Sequence, residues 1–290
     1  MSWRTIIISQ SAKLDYQMGY MVVRRETVVK IHISEIYMLL IETLAVSLTA
    51  ALLLELTKRK VKVILCDEKR NPSSELLPYY GSHDTSQKIK KQIAWDKDVK
   101  TAVWTEIVSE KIRQQAALLE ECGLKESEML HQYLKELRYG DTSNREGHAA
   151  KVYFNALFGM DFTRGEDNAT NAALNYGYSI ILSCFTREIA ANGYITQLGL
   201  FHDNMYNPFN LASDLMEPYR PLVDRIVKKK NLDTFEHDDK IDMLRLLDEE
   251  IWINNRREYV SNAIKIYTKS VFDALNDQDI SLIRFYRYEL

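Results

Sequence analysis

Cysteine is scarce in this chain. Cys66, Cys122 and Cys184 are far apart, odd in number and form no Cys-x-x-Cys pair. Each sits in an apolar setting, so they read as buried thiols of a protein kept in a reducing cytoplasm. The opening "MSWRTIIISQ" lacks an extended apolar segment behind a basic one, so no secretory signal is expected. Long hydrophobic runs are also missing. The most membrane-like stretch, Ile36 to Leu56, is interrupted by Glu42, Thr43, Ser47 and Thr49. It suits a strand, a turn and a helix better than a span, and no membrane partner is expected. Nor is there an excess of positive charge: 38 basic and 41 acidic side chains leave a net charge of −3. That weighs against a surface coated for nucleic acid, yet allows a local basic groove. No repeat period or low-complexity tract appears, which argues against a solenoid.

What is present is ordinary globular material, 46% hydrophobic and 27% charged, enough for a sizeable core in one large or two smaller domains. The first third holds short β-branched and aromatic runs: "RTIIIS", "YMVVRR", "TVVKIHI", "IYMLLIE" and "VKVILCD". "YMVVRRETVVKIHI" reads as a hairpin turning near Arg25 and Glu26, and Ser47–Lys60 as a helix with a hydroxyl cap. Two prolines, a glycine and three serines make Glu68–Asp84 the expected linker. Beyond it the spacing is helical. Helices are predicted around "TAVWTEIVSEKIRQQAALLEECG" and "SEMLHQYLKELRYG", then over Glu146–Phe158, Ala169–Asn192, Leu211–Val227, Asp239–Trp252 and Arg257–Leu275. The fold class is α+β: a small β-rich domain over residues 1–68, a linker over 69–84, and a larger all-α domain over 85–290.

One carboxylate stands in an odd place. On a helical wheel, Ala150, Tyr153, Phe154 and Leu157 define an apolar face, with Lys151, Asn155 and His148 opposite, and Glu146 falls in the middle of the apolar face. Burying it there is costly unless it is paired, hydrogen-bonded or bound to a cation. A structural explanation competes, because Ser143-x-x-Glu146 matches a capping box.

The stretch "HDNMYNPFNLASDLMEPYRPLVD" poses a similar choice. Leu211, Leu215, Tyr219 and Leu222 share one side of a helix. Asp214 and Glu217 lie on the polar flank with Ser213, Arg220 and Asp224, as an ordinary solvated face would place them. Two neighbouring acids repel, however, unless a positive group such as Arg220 or a divalent ion sits between them. Pro218 and Pro221 predict a bent or late-starting helix that leaves polar groups in a cleft. His202 is in the preceding loop; with Asp203, Asp214 and Glu217 it makes a mixed nitrogen and oxygen set suited to Mg²⁺ or Mn²⁺ rather than structural zinc. Asn168, Asn171 and Asn175 form an amide stripe continued by Tyr178. It fits an interhelical hydrogen-bond network, support for a metal site, or phosphate contacts. Gly177 would allow another backbone to come close.

Four segments in this order, "REGHAAKVYF", "NAALNYGYSIIL", "LGLFH" and "SDLMEPYRPLVD", resemble the universal integrase of CRISPR adaptation, the "Cas-one" family. The N-terminal "VVKIHISEIYMLLIE" and "VSLTAALLLELTKRKVKVILCD" resemble it too, so the likeness spans nearly the whole chain, and the compact length and motif wording resemble the type II branch. The resemblance implies an N-terminal β domain and a C-terminal α-helical catalytic domain. It places metal ligands at Glu146, His202 and Glu217, with Asp214 as a supporting acid, and makes Mg²⁺ or Mn²⁺ the cofactor.

The activity so implied is a DNA integrase and metal-dependent endonuclease. It joins the 3′-hydroxyl ends of foreign DNA spacers to the repeat of a CRISPR array by transesterification. The implied partners are spacer-precursor and repeat DNA, a second copy in a homodimer, a small ferredoxin-like subunit ("Cas-two") and other type II adaptation proteins. Arg138, Arg145, Arg164, Arg187, Arg220 and Arg225 are the candidate DNA contacts, each of which could equally be helix-surface charge. Two other readings stand beside this one: a non-catalytic DNA-binding scaffold subunit of the adaptation complex, and an unrelated helical metal hydrolase acting on small phosphoesters.

Overall fold

A computed structural model describes residues 4–78 and 82–288. The chain forms two compact units, one running to Thr85 and including Ala190–Gly193, the other comprising Ser86–Ile189 and Tyr194 onward.

The first unit is built from two four-stranded sheets. The strands are β1 (Arg4–Ile8), β2 (Ala12–Gln17), β3 (Tyr20–Arg24), β4 (Val28–His32), β5 (Ile36–Ile41), β6 (Val46–Leu48), β7 (Lys62–Cys66) and β8 (Pro72–Leu76), with helix α1 (Ala50–Lys58) before β7. One sheet has the order β1-β5-β7-β8 and the other β4-β3-β2-β6. β1, β5 and β7 are parallel, and their near-continuous aliphatic sequences suit strands covered on both faces. The β3–β4 hairpin turns at Arg25–Thr27, where expected. Leu14, Met21, Ile31, Leu39 and Val63 meet Leu52 and Leu56 of α1 in one core.

Two boundaries differ from expectation. β8 pairs antiparallel with β7 and lies inside the predicted linker, so the β-rich unit extends past Glu68; residues 79–81 of that linker fall outside the described ones. Val46–Leu48 is a strand beside β2 rather than a first helical turn, and the hydroxyl cap of α1 is Thr49, whose side chain accepts from the Leu52 amide.

The second unit is mainly helical: α2 (Thr85–Ile93), α3 (Lys97–Glu121), α4 (Ser127–Glu136), α5 (Arg145–Phe158), α6 (Ala169–Ala191), α7 (Asn210–Met216), α8 (Arg220–Lys230), α9 (His237–Arg245) and α10 (Val260–Asp277). The long α3 is the hub and packs against α4, α5, α7, α8 and α10. Its buried side includes Val103, Trp104, Ile107, Val108, Ile112 and Leu119, and also Lys111. The all-α expectation needs one correction. Trp252 and Arg257 belong to a three-stranded antiparallel sheet, β9 (Glu250–Ile253), β10 (Arg256–Tyr259) and β11 (Tyr286–Arg287), in the order β10-β9-β11. Asn254 and Asn255, both left-handed (φ 52° and 60°), turn its hairpin, the backbone a two-residue primed turn demands.

α7 and α8 are joined by a tight 3₁₀ turn at Glu217–Tyr219, as two closely spaced prolines require. α6 approaches α8 at Gly177, where a Cβ would lie 2.4 Å from Val223 Cγ1; the close neighbour is a side chain rather than a backbone. No helix among the described residues is long and apolar enough to cross a membrane.

Candidate metal centre

Glu146 begins with its local alternative removed. The first amides of α5 are capped by Asp141, whose two carboxylate oxygens accept from Arg145 N at 2.7 Å and Glu146 N at 3.0 Å. The capping box expected at Ser143 is not formed, because Asn144 occupies the N-cap in a left-handed conformation. Glu146 therefore has no capping duty. Its Oε1 accepts from Lys111 Nζ of α3 at 2.5 Å.

Lys111 has a second acid. Its Nζ is also 2.5 Å from Oε2 of Glu217, while Glu217 Oε1 accepts from Arg220 Nε at 3.0 Å. Two predicted ligands from different helices thus converge on one buried ammonium. The solvated-face reading of α7–α8 fails here: Asp214 is 0% exposed, Glu217 3% and Asp224 1%. Burial pushes the Glu217 carboxyl up, but Arg220 and Lys111 outweigh it and hold it below its usual range, so it is an anion. Burial likewise opposes the charge on Lys111, and Glu217 and Glu146 together more than restore it. Lys111 lies four residues after Ile107 on the apolar side of α3, so the wheel argument that exposed Glu146 would have found it too.

His202 is fixed by Asp214. The buried Asp214 carboxylate accepts the backbone amides of Leu200 (2.6 Å), Phe201 (3.1 Å) and His202 (3.2 Å), and its Oδ1 is 2.6 Å from His202 Nδ1. A carboxylate at Nδ1 accepts a hydrogen bond from the ring N–H, which keeps the proton on Nδ1 and leaves the Nε2 lone pair free as a ligand nitrogen. The hydrogen bond to Asp214 raises the His202 pKa above its ordinary value, with burial opposing and the charges of Asp214, Glu217 and Glu146 adding to the rise. The loop closes this tightly only over a glycine: a Cβ on Gly199 would lie 2.3 Å from the His202 carbonyl and 2.8 Å from Asp214 Oδ2.

Beside the site lies a third buried acid from the same polar flank. Asp224 accepts Tyr153 Oη on Oδ2 at 2.8 Å and Tyr178 Oη on Oδ1 at 2.5 Å. Burial raises its pKa to about 6, against the two hydroxyls and the nearby Arg220 and Arg164. Tyr178 carries Arg220 at 4.6 Å and Arg164 at 5.4 Å from its ring centroid, cation–π distances that bring two guanidiniums to one ring.

The amide stripe serves a loop rather than a neighbouring helix. Asn171 donates to the Thr163 and Glu166 carbonyls, and Arg164 donates to Asn171 and Asn175. Of the other arginines, Arg138 is exposed, and Arg145 pairs with Glu136 at 2.8 Å over the Tyr133 ring. Arg225 is buried against Glu121 at 2.7 Å, and Arg187 is paired with Glu188 with its side chain 12% exposed. Those two are committed to the interior.

A family model described as CRISPR associated protein Cas1 matches residues 5–250. The chain belongs to the Cas1 family. It is 37% identical over 229 residues to the CRISPR-associated endonuclease Cas1 of Neisseria meningitidis serogroup C (strain 8013), which covers 78% of this chain and 75% of that one. Among solved structures, a casposase bound to integration product superposes with a TM-score of 0.77 at 16% identity, over 96% of this chain and 91% of that one. A Cas6-RT-Cas1–Cas2 complex does so with a TM-score of 0.71 at 16% identity, over 97% of this chain and 36% of that one. At such identities the likeness is one of fold, and it is the Cas1 α+β fold, β-rich first and helical after.

Whether the Cas1 site suits a divalent ion can be judged from its donors. Among the described residues no three His, Cys, Asp and Glu side chains stand ready around one point, because Lys111 occupies the space between Glu146 and Glu217. The donors themselves fit. Glu217 Oε2 is a buried carboxylate oxygen that meets only the Lys111 ammonium, while Arg220 holds the other oxygen. Two anionic oxygens and one imidazole nitrogen make a set for Mg²⁺ or Mn²⁺.

Proposed function

We propose that the chain is a metal-dependent DNA integrase and endonuclease of CRISPR adaptation. Glu146, Glu217 and His202 Nε2 hold Mg²⁺ or Mn²⁺, and Asp214 orients the histidine from behind. The convergence of Glu146 and Glu217 on the buried Lys111 ammonium carries this reading, because it marks a place built for a positive charge among anionic oxygens. A scaffold subunit would have no use for it, since buried ion pairs contribute little net stability.

In the reaction, a spacer 3′-hydroxyl attacks a phosphorus at the repeat border. A new phosphodiester forms, the old P–O3′ bond breaks, and one proton passes from the attacking to the leaving oxygen. When bound, the ion supplies Lewis-acid polarisation of the phosphate and stabilises charge on the entering or leaving oxygen. The residues of the chain do the rest. Asp214 fixes the tautomer and direction of His202. Arg220 keeps Glu217 charged. Arg164 and Arg220, spaced by Tyr178, offer positive charge to phosphate oxygens, with Arg138 and Arg145 further out. Endonuclease activity is the same displacement with water as nucleophile. A wide DNA path on an acidic protein calls for assembly, and the family resemblance supports a homodimer joined to a small Cas2-type subunit.

The test is Glu146→Ala. Strand transfer of a spacer duplex into a repeat-bearing plasmid with Mn²⁺ should vanish while DNA binding survives. Undiminished integration would overturn the reading.

A further inference from the structure

The loop that carries the candidate histidine also carries an aromatic ring with no role in the ligand set. Phe201 lies flat on Trp104, with centroids 4.6 Å apart and planes inclined by 2°. The indole beneath is 1% exposed, whereas Phe201 is 56% exposed. A large aromatic normally hides in the core. This one is held rigidly at the surface instead: its amide donates to the same Asp214 carboxylate that locks His202, and the imidazole edge abuts both rings at 5.7 Å. Gly199 keeps the loop tight behind it.

A flat, immobile π-face next to a phosphate-handling centre has one natural complement. A nucleotide carries a planar base on one side of its sugar and a phosphate on the other. A protein side chain would seek a groove, and here there is a single ring. A base within a duplex is already stacked on both sides, so only an unpaired one can use the ring. We infer that Phe201, backed by Trp104, is a stacking platform for an unpaired nucleobase at the 3′ end of the DNA strand delivered to the metal centre. The inference rests on the DNA-integrase reading above and adds to it a base subsite indifferent to sequence. Met205 and Tyr206 of the same loop are also exposed, at 85% and 87%. By holding the terminal base, the platform fixes the attached sugar, and with it the hydroxyl that reacts.

The test is a double-mutant cycle on DNA affinity with the full-length protein. The probe is a duplex with single-stranded 3′ ends, intact or with a base removed at successive terminal positions, read by fluorescence anisotropy. Glu146→Ala protein is used so that the probe is not consumed. Phe201→Ala should bind intact DNA roughly tenfold or more weakly, the range of one lost base stack. It should bind one of the abasic probes as well as its parent does, and Phe201→Trp should restore the intact-probe affinity. Equal weakening of intact and abasic probes, no weakening at all, or failure of the Trp variant to restore binding would each overturn the proposal. Failure of the integrase reading would appear elsewhere, as integration surviving Glu146→Ala in otherwise native protein, so the two failures cannot be confused.

Discussion

Glu217 and Asp224 sit about two helical turns apart on the α7–α8 run, almost equally buried, and their surroundings drive them in opposite directions. Glu217 faces an ammonium and a guanidinium and stays ionised below its usual range. Asp224 faces two tyrosine hydroxyls and is pushed up to about 6. Burial is common to both, so burial does not decide the outcome; partner charge does. One region keeps a carboxylate as an anion beside Lys111 and Arg220, the charge that the proposed ion would use. The other ties α5, α6 and α8 together through tyrosine hydroxyls that donate to its carboxyl oxygens.

The largest expected effect breaks this comparison if it is wrong. Glu217→Gln should lower strand transfer into a repeat plasmid by about 10²-fold or more, as removal of a charged group from a phosphoryl-transfer site does. Asp224→Asn should keep most of the activity. Equal losses would mean that the two carboxylates do not differ in role.

Next comes the loop behind the histidine. Gly199→Ala forces apart the His202 carbonyl and the Asp214 carboxylate and so misplaces the imidazole. Integration should fall by roughly 10- to 100-fold, since an ångström of misplacement is enough, while circular dichroism and cooperative unfolding stay near those of the parent. An unaltered rate would show that His202 needs no such positioning.

The smallest effect sharpens the other half. Asp224 has a folded pKa of about 6 against an ordinary value of 3.8. The native state therefore holds a proton that the unfolded chain releases. Stability contributed by the neutral acid is present below the unfolded pKa and is lost as pH rises through about 6. Asp224→Asn cannot ionise, so its stability relative to the parent should climb between about pH 4 and pH 6.5, by about 2 to 3 kcal/mol at most. Urea denaturation across that range reads it directly, and a flat difference would contradict the assignment.

Parts of this were legible in the sequence because they break a pattern. Glu146 stood out on an apolar face, and its pairing with Lys111 explains why it can be there. Lys111 breaks the same pattern on α3, but long basic side chains so often lie along apolar surfaces with their heads in water that the break alone carries little signal. On a wheel the polar flank of α7–α8 fits a solvated face as well as a site, because a wheel shows which side chains share a side, not which helix covers them. Here Lys111 of α3 and Tyr153 of α5 reach across to it. The C-terminal sheet is hard to read for a local reason: "WINNRREY" alternates only briefly between helical segments, and Asn-Asn is a weaker turn signal than Asn-Gly. Asp141 takes the cap expected of Ser143 by reaching four and five residues along the chain, one carboxylate oxygen to each amide, a geometry that spacing rules do not anticipate.

The most direct test of the metal centre is anomalous diffraction from crystals of the protein soaked in Mn²⁺. The account predicts one strong peak within about 2.0–2.3 Å of carboxylate oxygens from both Glu146 and Glu217 and of His202 Nε2, with the Lys111 ammonium moved off the acids. A peak elsewhere, or none at this position with Lys111 still bridging Glu146 and Glu217, would contradict it.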